Sequence, residues 1–239
     1  MSSSRFFIIR PESVADGKVT IEGSEAHHLR RVVRAKIGQG ISLLDGCGTI
    51  YSVIIKEMDE QVIHMDIVEE EIVEREATVD LALALFKPSR MEMAVEKCAE
   101  LGIRKIIPFM AERSTQKGDG ETFRNKRERL VRKVESASKQ SGQPWFPEVS
   151  GLLNMQELIS TFSGYSSIFL ADIGDKAHDI PAGSSLQEPC LGIVGPEGGL
   201  TAKEVELLCA SGADPVRLGS KRLRSETAAI CLGYNLISR

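Results

Sequence analysis

Gly192-Ile-Val-Gly-Pro-Glu-Gly-Gly-Leu-Thr-Ala-Lys-Glu204 is the stretch whose reading decides the fold. The apolar run leading into it, Cys190-Leu-Gly-Ile-Val194, has the length of a buried strand. Gly195-Pro196 stops that strand, because proline cannot donate to a central ladder. Gly198 and Gly199 open backbone angles closed to other residues and let main chain approach a ligand with no Cβ in the way. Thr201 with Glu204 three residues on is a capping box, so a helix begins near Ala202. A second strand–loop–helix module follows, with a strand over 215–218, a loop over 219–225 and an apolar-rich helix over 226–237. Two such loops at the carboxyl ends of strands form a ligand crevice.

Upstream, residues 79–85 read as a buried strand that Lys87-Pro88 breaks. Ser89 is placed as the cap of a helix running to Leu101 and stopping at Gly102. Residues 103–109 and 167–171 read as strands, and 121–141 and 155–162 as helices. Strands alternating with helices define an α/β region with a mainly parallel sheet. The first part of the chain has another pattern. Short strands at 5–10, 18–22, 41–44, 50–55 and 62–68, glycine turns and one helix over 25–34 predict a small β-barrel. The acidic run from Glu69 to Glu76 reads as a solvated strand end or linker, which divides the chain into 1–72 and 73–239.

At 239 residues the chain has room for one large or two modest domains, and 42% hydrophobic with 27% charged residues is ordinary for a soluble protein. No apolar run reaches the length of a membrane span, and the one after Arg5 is too short for a signal peptide. Five cysteines without a Cys-x-x-Cys pair predict reduced thiols and a cytoplasmic location. The four histidines lack ligand spacing, so no metal is expected. The net charge of −4 hides an uneven distribution. Residues 122–139 carry seven Lys and Arg, Arg124 and Arg127 among them, against two Glu. With the stripe Leu130, Val131, Val134 and Ala137 this is an amphipathic helix, and its charge bias favours RNA phosphates over a merely solvated face. Arg30, Arg31, Arg34 and Lys36 repeat that signal more weakly.

The loop over 195–200 is neither a dinucleotide fingerprint, whose glycines Pro196 and Glu197 displace, nor a Walker A loop, since no Gly-Lys-Ser/Thr follows. Proline directly after glycine makes a rigid turn, better suited to a flat adenosine than to a phosphate. No nucleophile-elbow sequence supports covalent catalysis. The stretch over 218–228, with Arg217 just before it, carries Lys221, Arg222 and Arg224 and no acid before Glu226. As a solvated turn it would use Ser225 and Glu226 to serve the start of the last helix. As a ligand loop, its backbone groups hold adenosine and its cations face phosphates.

Ile193-Val-Gly-Pro-Glu-Gly-Gly-Leu200 followed by Arg217-Leu-Gly-Ser-Lys-Arg-Leu-Arg-Ser-Glu-Thr-Ala228 closely resembles the signature of the RsmE family. Its members are knotted, SPOUT-type methyltransferases that use S-adenosylmethionine to methylate N3 of one uridine in 16S ribosomal RNA. The resemblance runs along the chain. Arg5-Phe-Phe, His28-Leu-Arg-Arg-Val-Val-Arg34 and the glycine-rich strands look like the family's PUA-like RNA-binding domain. Lys87, Glu96-Lys97, Glu100-Leu-Gly102, Pro108, Glu112-Arg-Ser114 and Ser138-Lys-Gln-Ser-Gly142 look like its later motifs. Gln143 stands where the family has arginine, and Ser220-Lys221-Arg222 replaces a Pro-Arg-aliphatic run.

What the resemblance implies is a PUA-like β-barrel followed by an α/β domain with a trefoil knot near residues 190–228. It also implies a homodimer whose pocket lies near the subunit interface, and small-subunit ribosomal RNA as partner. Cofactor contacts would come from Leu170 and Ala171, and from Val194, Gly195, Pro196, Glu197, Gly198 and Gly199. The second loop would add Leu218, Gly219, Leu223 and Arg224, and the last helix Glu226, Thr227 and Ala228. RNA contacts would come from Arg5, Arg30, Arg31, Arg34, Lys87, Arg124, Arg127, Lys221 and Arg222. Uridine N3 must lose a proton and its base must leave any pairing. Arg113 and Arg224 are the candidates to stabilise the anion, and Glu197 or Glu226 to take the proton. Two other classes compete. A non-catalytic RNA-binding or assembly factor on this fold should have an eroded Gly195–Gly199 loop, which is intact. A nucleotide-dependent oxidoreductase needs a phosphate-binding glycine loop after residue 85, where Phe86-Lys-Pro-Ser89 stands.

Overall fold

A strand whose side chains are buried on both faces needs covered neighbours on each side, and among the described residues two strands meet that condition along their whole length. The computed structural model describes residues 6–75, 78–116, 120–174, 176–180 and 187–238. The chain divides into two compact units, residues 1–75 with 135–146, and residues 76–134 with 147–239.

The first unit contains β1 (Phe6–Ile8), β2 (Val14–Ala15), β3 (Lys18–Glu22), α1 (Gly23–His27), β4 (Gly40–Leu44), β5 (Thr49–Met58) and β6 (Val62–Ile72). They form one sheet in the order β1-β4-β5-β6-β3-β2, antiparallel except at β1–β4. Phe7, Val19, Leu43, Val53, Ile55, Ile63 and Met65 share one core, so the sheet curls around a single apolar interior. The acidic run is a solvated strand end: Glu69, Glu70 and Glu71 are exposed and paired with β5. The helix expected over 25–34 changes pitch. After His27 it winds as a π-helix over His28–Val33, and Arg34, at φ +56°, closes it onto the Leu29 carbonyl. Residues 135–146 complete this unit. The Trp145 indole N–H donates to the Val73 carbonyl at 2.8 Å, and a Cβ on Gly48 would lie 2.3 Å from the Trp145 ring.

The second unit contains β7 (Val79–Ala84), α2 (Pro88–Glu100), β8 (Lys105–Phe109), the first turns of α3 (Gly120–Ser141), β9 (Glu148–Val149) and α4 (Met155–Ser160). It continues with β10 (Ser167–Ala171), β11 (His178–Asp179), β12 (Cys190–Val194), α5 (Ala202–Ala210), β13 (Asp214–Arg217) and α6 (Ser225–Ile237). The sheet order is β11-β13-β10-β12-β7-β8-β9, parallel at every pairing. β12 lies between β10 and β7, and α6 packs on α2, β7 and β12. That packing explains Gly192 in mid-strand, where a Cβ would sit 2.6 Å from Leu81 Cδ2 and 2.8 Å from Leu232 Cδ2.

Most helix ends follow the sequence signals. Thr201 Oγ1 accepts from the Glu204 N–H at 3.3 Å, and Glu204 Oε2 accepts from the Thr201 N–H at 2.8 Å, which closes the capping box. At the end of α2, Gly102 at φ +79° lets Ile103 N–H reach the Cys98 carbonyl at 3.1 Å. Two starts differ from expectation. α2 begins at Pro88 with Lys87 as its cap residue, so Ser89 is not the cap; proline is preset for the first helical position and lacks the N–H that would be left over there. α6 begins at Ser225 with Arg224 before it and no side-chain cap, so Ser225 does not serve as one.

Candidate functional site

β13, β10 and β12 are adjacent and parallel, so their carboxyl ends release the chain side by side at a point where strand order reverses. The loops after all three converge on a cavity of about 350 Å³, within the usual range of small-molecule sites. Leu170, Ala171, Asp172 and Ile173 come from the β10 end, and Val194 to Glu197, Gly199 and Leu200 from the β12 end. Leu218, Lys221 to Ser225 and Ala228 come from the β13 loop and the start of α6. The walls are mainly aliphatic, with Arg90, Lys221, Arg222 and Arg224 against Asp172 and Glu197.

The glycine loop is a tight turn held from outside. Gly199 N–H donates to the Pro196 carbonyl at 2.8 Å, with Gly199 at φ +70°. A Cβ on Gly195 would lie 3.0 Å from Leu200 Cγ, which would crowd the cavity wall. Arg113 Nη1 donates to the Gly198 carbonyl at 3.2 Å, and Glu112 N–H donates to Glu204 Oε1 at 2.8 Å, so the segment after β8 braces both ends of the loop. Glu197 Oε1 accepts from the Lys87 N–H at 3.1 Å and from Arg90 Nη1 at 3.4 Å, while its Oε2 accepts from Thr115 Oγ1 at 3.4 Å. Glu226 is 6% exposed. Its Oε1 lies 3.7 Å from Arg90 Nε, and its Oε2 has no hydrogen-bond partner among the described residues.

Of the residues expected to hold a cofactor, Leu170, Ala171, Val194, Gly195, Pro196, Glu197, Gly199, Leu218, Leu223, Arg224 and Ala228 line this cavity. Gly198, Gly219, Glu226 and Thr227 do not, and neither does Arg113, which reaches the loop from behind. Lys221 and Arg222, expected at RNA, are on the cavity wall. Lys87 is exposed and meets the loop through its backbone N–H. On α3, Arg127 Nε donates to the Val149 carbonyl at 2.7 Å, whereas Arg124 is exposed with no ion pair among the described residues. In the first unit, Arg31 and Arg34 are exposed and Arg30 half-buried, none with a salt bridge among the described residues. Arg5 lies outside the described residues. Sequence reading missed Arg90, Asp172, Ile173, Leu200, Val205 and Ser225. Asp172 and Ile173 were reachable as the continuation of the strand end at Ala171; Arg90, one turn into α2, carried no local signal. Among the described residues no group of three His, Cys, Asp or Glu could hold a metal ion, and no helix is long and apolar enough to cross a membrane.

Residues 73–236 match the RNA methyltransferase domain family, and residues 21–64 match the RNA methyltransferase PUA domain. The chain is 31% identical over 237 residues to ribosomal RNA small subunit methyltransferase E of Synechocystis sp., covering 95% of this chain and 77% of that protein. It is 30% identical over 224 residues to the Bacillus subtilis protein of the same name, covering 88% and 86%. The crystal structure of ribosomal RNA small subunit methyltransferase E from Neisseria gonorrhoeae, bound to S-adenosyl methionine, superposes with a TM-score of 0.86 at 26% identity, covering 97% and 96%. An α/β unit with a parallel sheet and a cavity at its strand ends, preceded by a PUA-like unit, therefore places this chain in the ribosomal RNA small subunit methyltransferase E family.

Proposed function

We propose that this protein transfers a methyl group from S-adenosylmethionine to N3 of one uridine in 16S ribosomal RNA of the small subunit, and that the cavity at β13, β10 and β12 holds the cofactor. The observation that carries the reading is the convergence of three strand-end loops around a glycine turn with little room for a Cβ at Gly195. The residues fit the group. Leu170, Val194, Leu218 and Leu223 offer apolar walls to an adenine, and the strand ends present main-chain N–H and C=O groups to its polar edge. The Neisseria gonorrhoeae relative, which binds S-adenosyl methionine, supports the same cofactor here.

When bound, S-adenosylmethionine supplies an electrophilic methyl group, so the protein's part is alignment and charge. Arg224, exposed on the cavity wall, faces the incoming base and stabilises negative charge on its oxygens. Of the two candidate proton acceptors, only Glu197 is on the cavity wall, and it takes that role in this reading. Arg113 acts through the Gly198 carbonyl and positions the loop. Arg124 and the cations of the PUA-like unit contact RNA phosphates. The same reading includes a homodimer, a cytoplasmic location and a trefoil knot over 190–228; the insertion of β12 between β10 and β7, with α6 returning over β7, supports the knot.

Mass mapping of ribosomal RNA with and without the gene product tests the reaction: loss of one N3-methyluridine is expected, and an unchanged map overturns the reading. Arg224→Ala is expected to keep the fold, seen as an unchanged circular-dichroism spectrum, and to lower methyl transfer by about 10²-fold or more, the scale of losing one charge-stabilising donor. Unchanged turnover removes Arg224 from the chemistry.

A further inference from the structure

Arg90 is the residue of α2 that lines the cavity, and it touches one carboxylate in the β12 loop and another at the start of α6. Its Nη1 lies 3.4 Å from Glu197 Oε1, in the loop after β12, and its Nε lies 3.7 Å from Glu226 Oε1, in the first turn of α6 after the β13 loop. The two acids are well removed from solvent, with side chains 17% and 8% exposed, and Arg90 itself is 28% exposed. Two carboxylates approaching one guanidinium from different loops repel each other once it is gone, so the cation sets the spacing of the loops. Glu226 depends on it most, because its Oε2 is buried without a hydrogen-bond partner among the described residues. Glu197 has further donors in the Lys87 N–H and the Thr115 hydroxyl.

We infer that Arg90 is a positioning residue that holds the β12 loop and the start of α6 at the separation the cofactor needs, through Glu197 and Glu226. The inference rests on the cavity being the cofactor site, not on which nucleotide is methylated. A guanidinium suits the task because it offers several donors in a fixed plane, and a lysine ammonium spans two acids less well. Arg90 acts on the affinity for S-adenosylmethionine by preorganising the walls of its site, and the methyl transfer itself passes through other groups.

Calorimetric titration of S-adenosylmethionine into the full chain tests this with Arg90→Met, Arg90→Lys, Glu226→Gln and the double variant Arg90→Met/Glu226→Gln. Arg90→Met is expected to weaken binding about tenfold or more, with Arg90→Lys in between. The double variant should bind no more weakly than Arg90→Met, because the two residues act as a unit. Fold-changes that multiply, or an Arg90→Met affinity equal to wild type, overturn the inference. Should Arg90→Met fail to fold around its orphaned acid, the double variant removes that acid's charge and still reports the loss. Hydrogen exchange without cofactor gives a second readout: faster exchange at 197–200 and 224–228 in Arg90→Met is expected, and unchanged protection there counts against it. Ala228→Phe, which fills the cavity, is the control. If it leaves the affinity unchanged, the cavity assignment fails; if it abolishes binding while the cycle is multiplicative, only the role of Arg90 fails.

Discussion

Gly192 shows how a single side chain, or the lack of one, sets the distance between layers. Its neighbours in β12 are apolar and buried, so the strand pattern alone would accept alanine there. The structure does not, because Leu81 and Leu232 already occupy the space. Gly192→Ala is expected to destabilise the fold by about 1–3 kcal/mol, as overpacked cores do, measured as a lower urea midpoint at constant slope. Asp80 shows the opposite case, a charge taken inside. It is 1% exposed and accepts from Arg104 Nε and Nη2, each at 2.7 Å, and from the Tyr165 hydroxyl at 2.6 Å. Burial first, and then the bond to Asp80, push the Tyr165 hydroxyl well above the usual phenol range. Such a network survives in a core because each member is paired.

Among the elements, β11 is one of the most lightly held, pairing only His178 and Asp179 with β13. His178 Nδ1 meets the Asp179 carbonyl at 3.0 Å, and Nε2 meets the Asp214 carboxylate at 2.8 Å. The bond to the Asp179 backbone, then the Asp214 carboxylate, raise its pKa above the ordinary 6.5. A raised pKa in the folded state means that the stabilisation is complete below about 6.5 and is lost as pH rises through the folded value. Hydrogen exchange at β11, corrected for intrinsic rates, is therefore expected to lose protection as pH rises above 6.5, and Asp214→Asn to flatten that dependence. A pH-independent protection in the wild-type protein would contradict it. On α3 the basic face is partly spent. Arg129 pairs with Glu92 at 2.7 Å and Lys133 with Glu96 at 3.5 Å, and Arg127 is tied to a backbone carbonyl, which leaves Arg124 and Arg132 exposed with no ion pair among the described residues.

For the molecule as a whole, a net charge of −4 opposes RNA binding unless cations are gathered where the RNA lies. In the proposed reading, the exposed arginines of α3 that have no ion pair among the described residues are one such gathering. Binding of a single-stranded ribosomal RNA fragment is expected to weaken linearly in log–log salt titration, and Arg124→Ala/Arg132→Ala to reduce the slope by about 0.7 for each phosphate no longer neutralised. An unchanged slope would place the RNA elsewhere. Removing Arg127 should change the slope less, because its Nε already serves Val149.

Local chemistry carried much of the fold into the sequence. Strand β12, the turn at Gly195-Pro196 and the Thr201–Glu204 capping box depend on residues within a few positions of one another, so they were legible before any folding was known. The α/β alternation was legible for the same reason, and eleven of the residues expected at the cofactor are on the cavity wall because they sit at strand ends, or on the loops and helix start that follow them, which a parallel sheet brings to one edge. Asp172 and Ile173 merely continue a strand end that was legible, whereas Arg90 was not, since its place on the wall depends on which strands and helices become neighbours. The same holds for residues 135–146, which belong with the first unit although 120–134 belong with the second. By itself the sequence determined which segments become strands, turns and helices, because hydrophobic period, glycine and proline act over a few bonds. Only the tertiary structure decided that β12 enters between β10 and β7 and that one guanidinium joins two distant acids, because contacts between residues more than a hundred positions apart leave no periodic trace in the chain.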